Sequence, residues 1–243
     1  MSFKPGDPGD VRALFDEIAP SYDRLNDLLS LGCHRLWKRR AVAWLEPHAG
    51  QRLLDLCCGT GDLALVLAAK VRPGGSVVGV DAASGPLRLA QQRSSRQPWL
   101  PVEWRLGDAL ATGLASASFD GAVIGYGLRN LADPAAGLAE LRRLLRPGRR
   151  AAVLDFNRPD PDGPAGAVAA AVQQRFQQVY LRALVVPTAR LWGIPEQYAY
   201  LEESLRRFPT GAEQERLARE AGFRAARHRL LAGGQMGLLE LVA

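Results

Sequence analysis

Residues Leu53 to Leu63 read LLDLCCGTGDL: an apolar run, a glycine-bearing turn, then a helix-forming segment. The run fits a buried strand closing at Asp55. Gly59 and Gly61 let the backbone turn tightly beside a ligand, and the helix that follows points unpaired N–H groups at whatever sits there. About twenty residues beyond Gly61, at the spacing of a βαβ unit, a second apolar run, SVVGVD, ends in Asp81. A carboxylate in that place accepts hydrogen bonds from ribose hydroxyls, so the pair points to an adenosine cofactor.

Outward from this loop, short apolar runs alternate with longer amphipathic segments, the signature of strands and crossover helices in a parallel sheet. Strands are expected at Arg52 to Cys57, Ser76 to Asp81, Val102 to Leu106, Phe119 to Tyr126 and Ala151 to Phe156. Helices are expected at Gly61 to Ala69, Leu87 to Gln92 and Ala135 to Leu145, the last stopped by Arg146, Pro147 and Gly148. After Phe156, Pro159, Pro161 and Pro164 break the chain, and a long Ala/Gln/Leu/Val segment from Ala165 to Leu184 reads as an inserted helix over the sheet. Ser204 to Gly222 reads as one further helix. His228 to Leu230 and Gly237 to Val242 read as closing strands around the turn Gly233, Gly234, which suits a sheet with an antiparallel edge. The expected fold is α/β: a doubly wound, mostly parallel, seven-stranded sheet with a C-terminal antiparallel hairpin. One domain spans 1–243, with an N-terminal helical cap (1–45), a cofactor-binding half (50–157), the inserted helical segment (160–195) and a C-terminal helix and hairpin (200–243).

Composition limits the function classes. The 243 residues suffice for one well-packed α/β domain, and a hydrophobic share of 47% with 23% charged residues is ordinary for a globular protein. No uninterrupted apolar run reaches the roughly 18 residues a membrane span needs. MSFKPGDPGD lacks a basic-then-apolar signal pattern, and two of the three cysteines lie in the cofactor loop, which points to a reducing, cytoplasmic compartment. Net charge is +6, nearly all from arginine, since lysine occurs only at Lys4, Lys38 and Lys70. The arginines are scattered rather than striped with aromatics, so a solvated face comes first, an anionic membrane surface second, and nucleic acid is not expected.

Three readings compete for the loop. A mere tight turn does not account for the spacing. A dinucleotide dehydrogenase would show G-x-G-x-x-G, whereas Asp55, Cys57, Gly59 and Gly61 stand at alternate positions, and no Tyr is followed four residues on by Lys. S-adenosylmethionine asks for an acid closing strand one, a glycine turn, an acid after strand two and an acid near the adenine after strand three. Asp55, the turn through Gly61, Asp81, and Asp108 in Gly107-Asp108-Ala109 supply all four. The cofactor-binding set is therefore Asp55, Gly59, Thr60, Gly61, Asp81, Ala82, Asp108, Ala109 and Gly125. Cys57 and Cys58 read as small packing residues; adjacent cysteines make a poor metal site, and no metal is expected.

Landmarks elsewhere carry a resemblance. Between Val11 and Lys38 the chain has FDEIAPSYDRLNDLLSLGCHRLWK; mid-chain stands Gly127-Leu128-Arg129-Asn130, followed by LLRPGRRAAVLDFNRP; later come Tyr200-Leu-Glu-Glu-Ser204 and Ala221-Gly-Phe223. Over nearly its whole length the chain resembles the UbiE/MenG quinone methyltransferases of ubiquinone, menaquinone and phylloquinone biosynthesis. The LCCGTGDLA loop and LDFNRP strand look most like the plant and cyanobacterial branch that makes phylloquinone. Gly125 departs from the pattern, since many relatives have serine there. The resemblance implies a class I S-adenosylmethionine-dependent fold and C-methylation of a prenylated naphthoquinol, demethylphylloquinol being favoured. A demethylmenaquinol or ubiquinone-precursor ring, and a non-catalytic cofactor-binding partner in a quinone-synthesis complex, stay open.

Such chemistry needs a ring carbon made nucleophilic by loss of a quinol hydroxyl proton, so the reduced ring should react and the oxidised quinone should not. Arg129 stays protonated and so cannot be the base, but it can stabilise a developing quinolate, with Asn130 orienting the hydroxyl or a water. Both sit after strand four, where they could instead cap the next helix. Tyr22 and His34 are candidate proton acceptors from the N-terminal cap, against a packed aromatic and a structural histidine. Ala165 to Trp192, small and apolar with few acids, is the candidate for handling the isoprenoid tail or lying at a membrane surface, against an ordinary packed helix. Gly125-Tyr126-Gly127-Leu128-Arg129-Asn130 stands where a nucleic-acid amino-methyltransferase would carry an Asp/Asn-Pro-Pro-Tyr motif. Peripheral membrane contact and self-association stay open.

Overall fold

A computed structural model describes residues 7, 9–17, 19, 30, 32–163, 166–180 and 196–243. Seven strands form one sheet: β1 (Arg52–Leu56), β2 (Ser76–Asp81), β3 (Val102–Leu106), β4 (Phe119–Gly125), β5 (Leu145–Phe156), β6 (Ala225–Leu231) and β7 (Met236–Val242). Their order is β3-β2-β1-β4-β5-β7-β6; β1 to β5 pair in parallel, while β7 runs antiparallel between β5 and β6. Strand order reverses between β1 and β4, and a crevice opens beyond their carboxyl ends at such a switch point.

Among the described residues, helices α1 (His34–Leu45), α2 (Asp62–Lys70), α3 (Ser84–Ser95), α4 (Pro134–Leu144), α5 (Gly166–Tyr180), α6 (Glu196–Arg207) and α7 (Gly211–Glu220) surround the sheet, and residues 9–17 form a further helical stretch. Central strands are apolar on both sides because helices cover both faces. Leu53, Val77, Val123 and Leu154 pack with residues of α1 and α2 on one face. Leu54, Leu56, Ile124 and Val153 pack with residues of α4 and α7 on the other. The two-residue period of β1 places Asp55 on the same face as Leu53, under the start of α2. There its Oδ2 accepts a hydrogen bond from the Ala64 N–H at 2.8 Å.

Two expected elements differ. Ser204 to Gly222 is not one helix: α6 ends at Arg207 and α7 begins at Gly211. Pro209 cannot continue a helix, and Thr210 starts a new one with a reciprocal capping box to Glu213. Strand five begins at Leu145 rather than Ala151, pairing with Phe119, looping out around Gly148 at φ +75°, and resuming at Arg150 opposite Gly121. The inserted segment is helical from Gly166 to Tyr180; its residues 164, 165 and 181–195, and Tyr22, lie outside the described residues. Among the described residues no helix is long and apolar enough to cross a membrane, and no group of three His, Cys, Asp or Glu side chains is placed to hold a metal.

Candidate active site

A cavity at the carboxyl edge is lined by the loops after β1, β2, β3 and β4, by Lys38 of α1, and by Val11, Arg12 and Phe15 of the N-terminal helical stretch. The β1 loop turns through three left-handed residues, Cys57 (φ 61°), Gly59 (φ 52°) and Gly61 (φ 84°). A side chain at Gly59 would meet nothing within 4 Å, so the backbone there faces open space. Gly61 has a different reason: a Cβ would lie 2.5 Å from Trp104 Cη2 and 3.0 Å from Ala90. Tyr126, in the loop after β4, is also left-handed at φ 60°, and a side chain at Gly127 would collide with Cys57. Strained non-glycine backbone on both loops, at their closest approach, marks a region held in place by its surroundings for a ligand.

Asp55 is buried, and while Oδ2 holds Ala64, Oδ1 has no hydrogen-bond partner among the described residues. Burial pushes its carboxyl up to about 8, against the opposing pull of the Ala64 N–H and the Lys38 ammonium. An acid so placed awaits a cationic or donating group. Asp81 closes β2, its Oδ2 accepting from the Gly59 N–H at 2.7 Å and its Oδ1 from the Ala83 N–H at 2.9 Å. A carboxylate oxygen has further lone-pair capacity, so both can still accept from a ligand diol. Burial raises the Asp81 carboxyl, with these N–H donors pulling the other way. Asp108, exposed after β3, accepts from Leu110 N–H through Oδ1. Thr60, Ala82, Ala109 and Gly125 line the same cavity with Asp55, Gly59, Asp81 and Asp108, so eight of the nine expected cofactor residues converge on it; Gly61, packed against Trp104, shapes the turn without lining the cavity.

The acceptor side is built differently. Asn130 lines the cavity; its Nδ2 donates to the Tyr126 carbonyl at 3.0 Å, and its Oδ1 accepts from the Tyr200 hydroxyl at 2.9 Å. Arg129 does not line the cavity. Its Nη1 donates to Asp155 Oδ1 and to the same Tyr126 carbonyl, both at 2.8 Å, while its guanidinium lies over the Phe156 ring at 5.2 Å. Its N–H also donates to Asp155 Oδ2. His34, buried at the start of α1 with Nδ1 2.7 Å from Ser30 Oγ, is likewise absent from the lining.

Sequence reading passed over four contributors. Lys38 pairs with Asp62 at 2.9 Å, which Arg93 also reaches at 2.9 Å; burial works to raise the Asp62 carboxyl, yet these cations hold it below the usual range. Tyr200, buried on α6, packs with Val11, Leu14 and Phe15, so the helical cover, α6 and Asn130 meet at one side chain. Arg12 and Phe15 line the cavity from the cover, which Asp16 fastens by accepting from the Gly85 N–H of α3. Phe15, Lys38 and Tyr200 stood within the quoted landmarks; no local pattern announced their neighbours.

A crevice that seeks a cation on one wall and offers a carboxylate to a diol on the other belongs to the class I S-adenosylmethionine-dependent methyltransferases. Solved structures share the fold: a SAM-dependent methyltransferase from Aquifex aeolicus (17% identity, 97% of this chain and 98% of that chain, TM-score 0.59) and an arsenic(III) S-adenosylmethionine methyltransferase from Chlamydomonas reinhardtii (21%, 84% and 71%, 0.55). More particularly, the chain belongs to the ubiE/COQ5 methyltransferase family, whose model matches residues 5–239. It is 49% identical to the 2-phytyl-1,4-naphtoquinone methyltransferase of Thermosynechococcus vestitus over 94% of this chain and 96% of the relative. It is 42% identical to the chloroplastic 2-phytyl-1,4-beta-naphthoquinone methyltransferase of Arabidopsis thaliana over 94% and 85%.

Proposed function

We propose that this protein methylates a ring carbon of 2-phytyl-1,4-naphthoquinol, drawing the methyl group from S-adenosylmethionine, and so completes phylloquinone. The near full-length likeness to enzymes named for the corresponding quinone carries the reading. The cofactor, when bound, supplies an electrophilic methyl on a positively charged sulfur. What remains for the chain is to hold a carbon nucleophile in line at near-attack distance.

Asp55 Oδ1 would take the cofactor's ammonium, Asp81 its ribose hydroxyls, and Asp108 would lie toward the adenine, with Gly59 giving backbone room. Asn130, held between Tyr126 and Tyr200, keeps one N–H and one lone pair for the quinol hydroxyl. The quinol gives up a hydroxyl proton, and its charge moves to the adjacent ring carbon. That carbon would receive the methyl group the bound cofactor supplies, and the ring proton would then pass to a base or water to restore aromaticity. Arg129 works from behind as a positioning residue, fixing the carbonyl on which Asn130 is set. Tyr22 and His34 are the proposed proton acceptors, His34 acting through water. Val11 and Phe15 exclude bulk solvent. We locate this work at a membrane surface on the cytoplasmic side, because a phytyl chain partitions into a bilayer.

The test is methyl transfer from labelled S-adenosylmethionine to 2-phytyl-1,4-naphthoquinone in detergent, with and without a chemical reductant, read by mass spectrometry beside a demethylmenaquinone and a ubiquinone-precursor ring. Methylation of the phytyl substrate under reducing conditions alone is the expected result. Transfer confined to another ring reassigns the acceptor, and cofactor binding without any transfer overturns the catalytic reading.

A further inference from the structure

Four large apolar side chains stand exposed on α5: Val168 at 81%, Val172 at 65%, Phe176 at 60% and Val179 at 56%. Advancing about 100° per residue, these positions fall within an arc of about 80° on the helix. Ala170 and Gln177, the buried residues of α5, lie on the opposite side. The seat is fixed: Gln177 Nε2 donates to the Asn157 carbonyl at 3.1 Å, and Asn157 Nδ2 donates to the Gly234 carbonyl at 2.9 Å. A side chain at Gly234 would strike Gln173. The apolar stripe therefore cannot roll inward to join the core.

Its location is equally fixed. Asn157 follows β5 directly, at the same carboxyl edge as the cavity, and the Phe156 ring lies 6.1 Å from that of Tyr126, a cavity-lining residue. Charge selects the occupant. From Gly166 to Pro195 the sequence has three arginines, Arg175, Arg182 and Arg190, and no acidic residue, within a chain of net charge +6. Arg175 lies about 20° from the edge of the stripe by the same helical geometry. An apolar stripe with Arg175 at its edge, on a helix free of acids, matches an anionic bilayer surface, where apolar side chains enter the headgroup boundary and arginines meet lipid phosphates.

We propose that α5 docks on an anionic lipid bilayer through Val168, Val172, Phe176 and Val179, setting the cavity mouth against the membrane that holds the acceptor. The docking surface deepens the quinol-methyltransferase reading and rests on it for the identity of what passes from bilayer to cavity.

The experiment uses the full chain with unilamellar vesicles of phosphatidylcholine containing phosphatidylglycerol, read by co-sedimentation without substrate. Wild type is expected to bind; Val172→Glu/Phe176→Glu, which alters exposed positions, is expected to lose binding at least tenfold, and Arg175→Glu to weaken binding to anionic vesicles alone. In a second arm, the double variant should keep wild-type turnover on a short-tailed naphthoquinol in lipid-free buffer while losing at least tenfold on a long-tailed quinol embedded in vesicles. Wild type that stays in the supernatant, or a double variant that sediments like wild type, overturns the proposal. So does a concentration-dependent dimer that the double variant abolishes, since a second copy would then cover the stripe. Should the short-tailed quinol not be methylated by wild type, the catalytic reading fails, and the sedimentation arm still decides the docking surface.

Discussion

Asp55 on β1 and Asp155 on β5 are both buried aspartates at the carboxyl edge of one sheet, yet they do opposite work. Asp155 is complete: the Arg129 guanidinium and the N–H groups of Arg129 and Phe156 satisfy both oxygens. Asp55 is incomplete, with one oxygen committed to Ala64 and the other open. A buried charge that is fully paired fixes a scaffold, whereas one left partly paired seeks a ligand. The same contrast runs through the cavity's two halves. The cofactor wall is backbone and carboxylates with spare acceptor capacity; the acceptor wall is side chains locked onto one another and onto a helical cover.

The largest way to break this contrast is Asp155→Asn. Leaving Arg129 without its counter-charge should lower unfolding stability by roughly 3–5 kcal/mol in urea titration, with cofactor affinity of the folded fraction unchanged. A stable variant with weak cofactor binding would reverse the roles assigned. Asp55→Asn should do the opposite: the amide oxygen can still accept from Ala64, but loss of the cation partner should raise the S-adenosylmethionine Kd by about 30-fold to a few thousand-fold in calorimetry, the range expected for truncating a buried charge pair. Asn130→Ala sharpens the comparison from the acceptor side, with kcat expected to fall about 100-fold from lost positioning. Its cofactor Kd should move less than twofold, and an equal rise in Kd would place Asn130 on the wrong wall. Gly125→Ser probes the packing beneath the cavity, since the new Cβ would come within 2.6 Å of Leu63 Cδ1. Overpacking of this kind costs about 1–3 kcal/mol; a thermal midpoint equal to wild type would show that Leu63 gives way freely.

The two walls were unequally legible in the sequence. Asp55, Gly59, Gly61 and Asp81 could be read because their roles are local: a strand end, a turn and the next strand end at fixed spacing. Arg129 could not, because what decides its direction is Asp155, 26 residues on in the chain and brought beside it by the parallel pairing of β4 with β5. Tyr200 lies 70 residues from Asn130, and no periodicity predicts that meeting. The break between α6 and α7 was readable: Pro209 and the Thr210-Gly-Ala-Glu213 box announce it, but the helical period on either side masked it. The stripe on α5 was visible as composition, though its outward face became definite once Gln177 was placed on Asn157.

The open valence of Asp55 sets a sign for pH. Burial lifts its carboxyl from an ordinary 3.8 to about 8, so between those values the folded, ligand-free protein holds a proton that the unfolded chain has released. Stability from this group is therefore lost as pH rises across that window, and a bound cation that favours the carboxylate must expel the proton. The most direct measurement is calorimetry of S-adenosylmethionine binding at pH 6.5 in two buffers of different ionisation enthalpy. At that pH the cofactor's own amine is already charged. Release of about one proton, falling toward zero above pH 8 and absent in Asp55→Asn, is the predicted result. Binding at pH 6.5 with no proton released, or with the same release in Asp55→Asn, would contradict the assignment of Asp55 as the seat of the cofactor's positive charge.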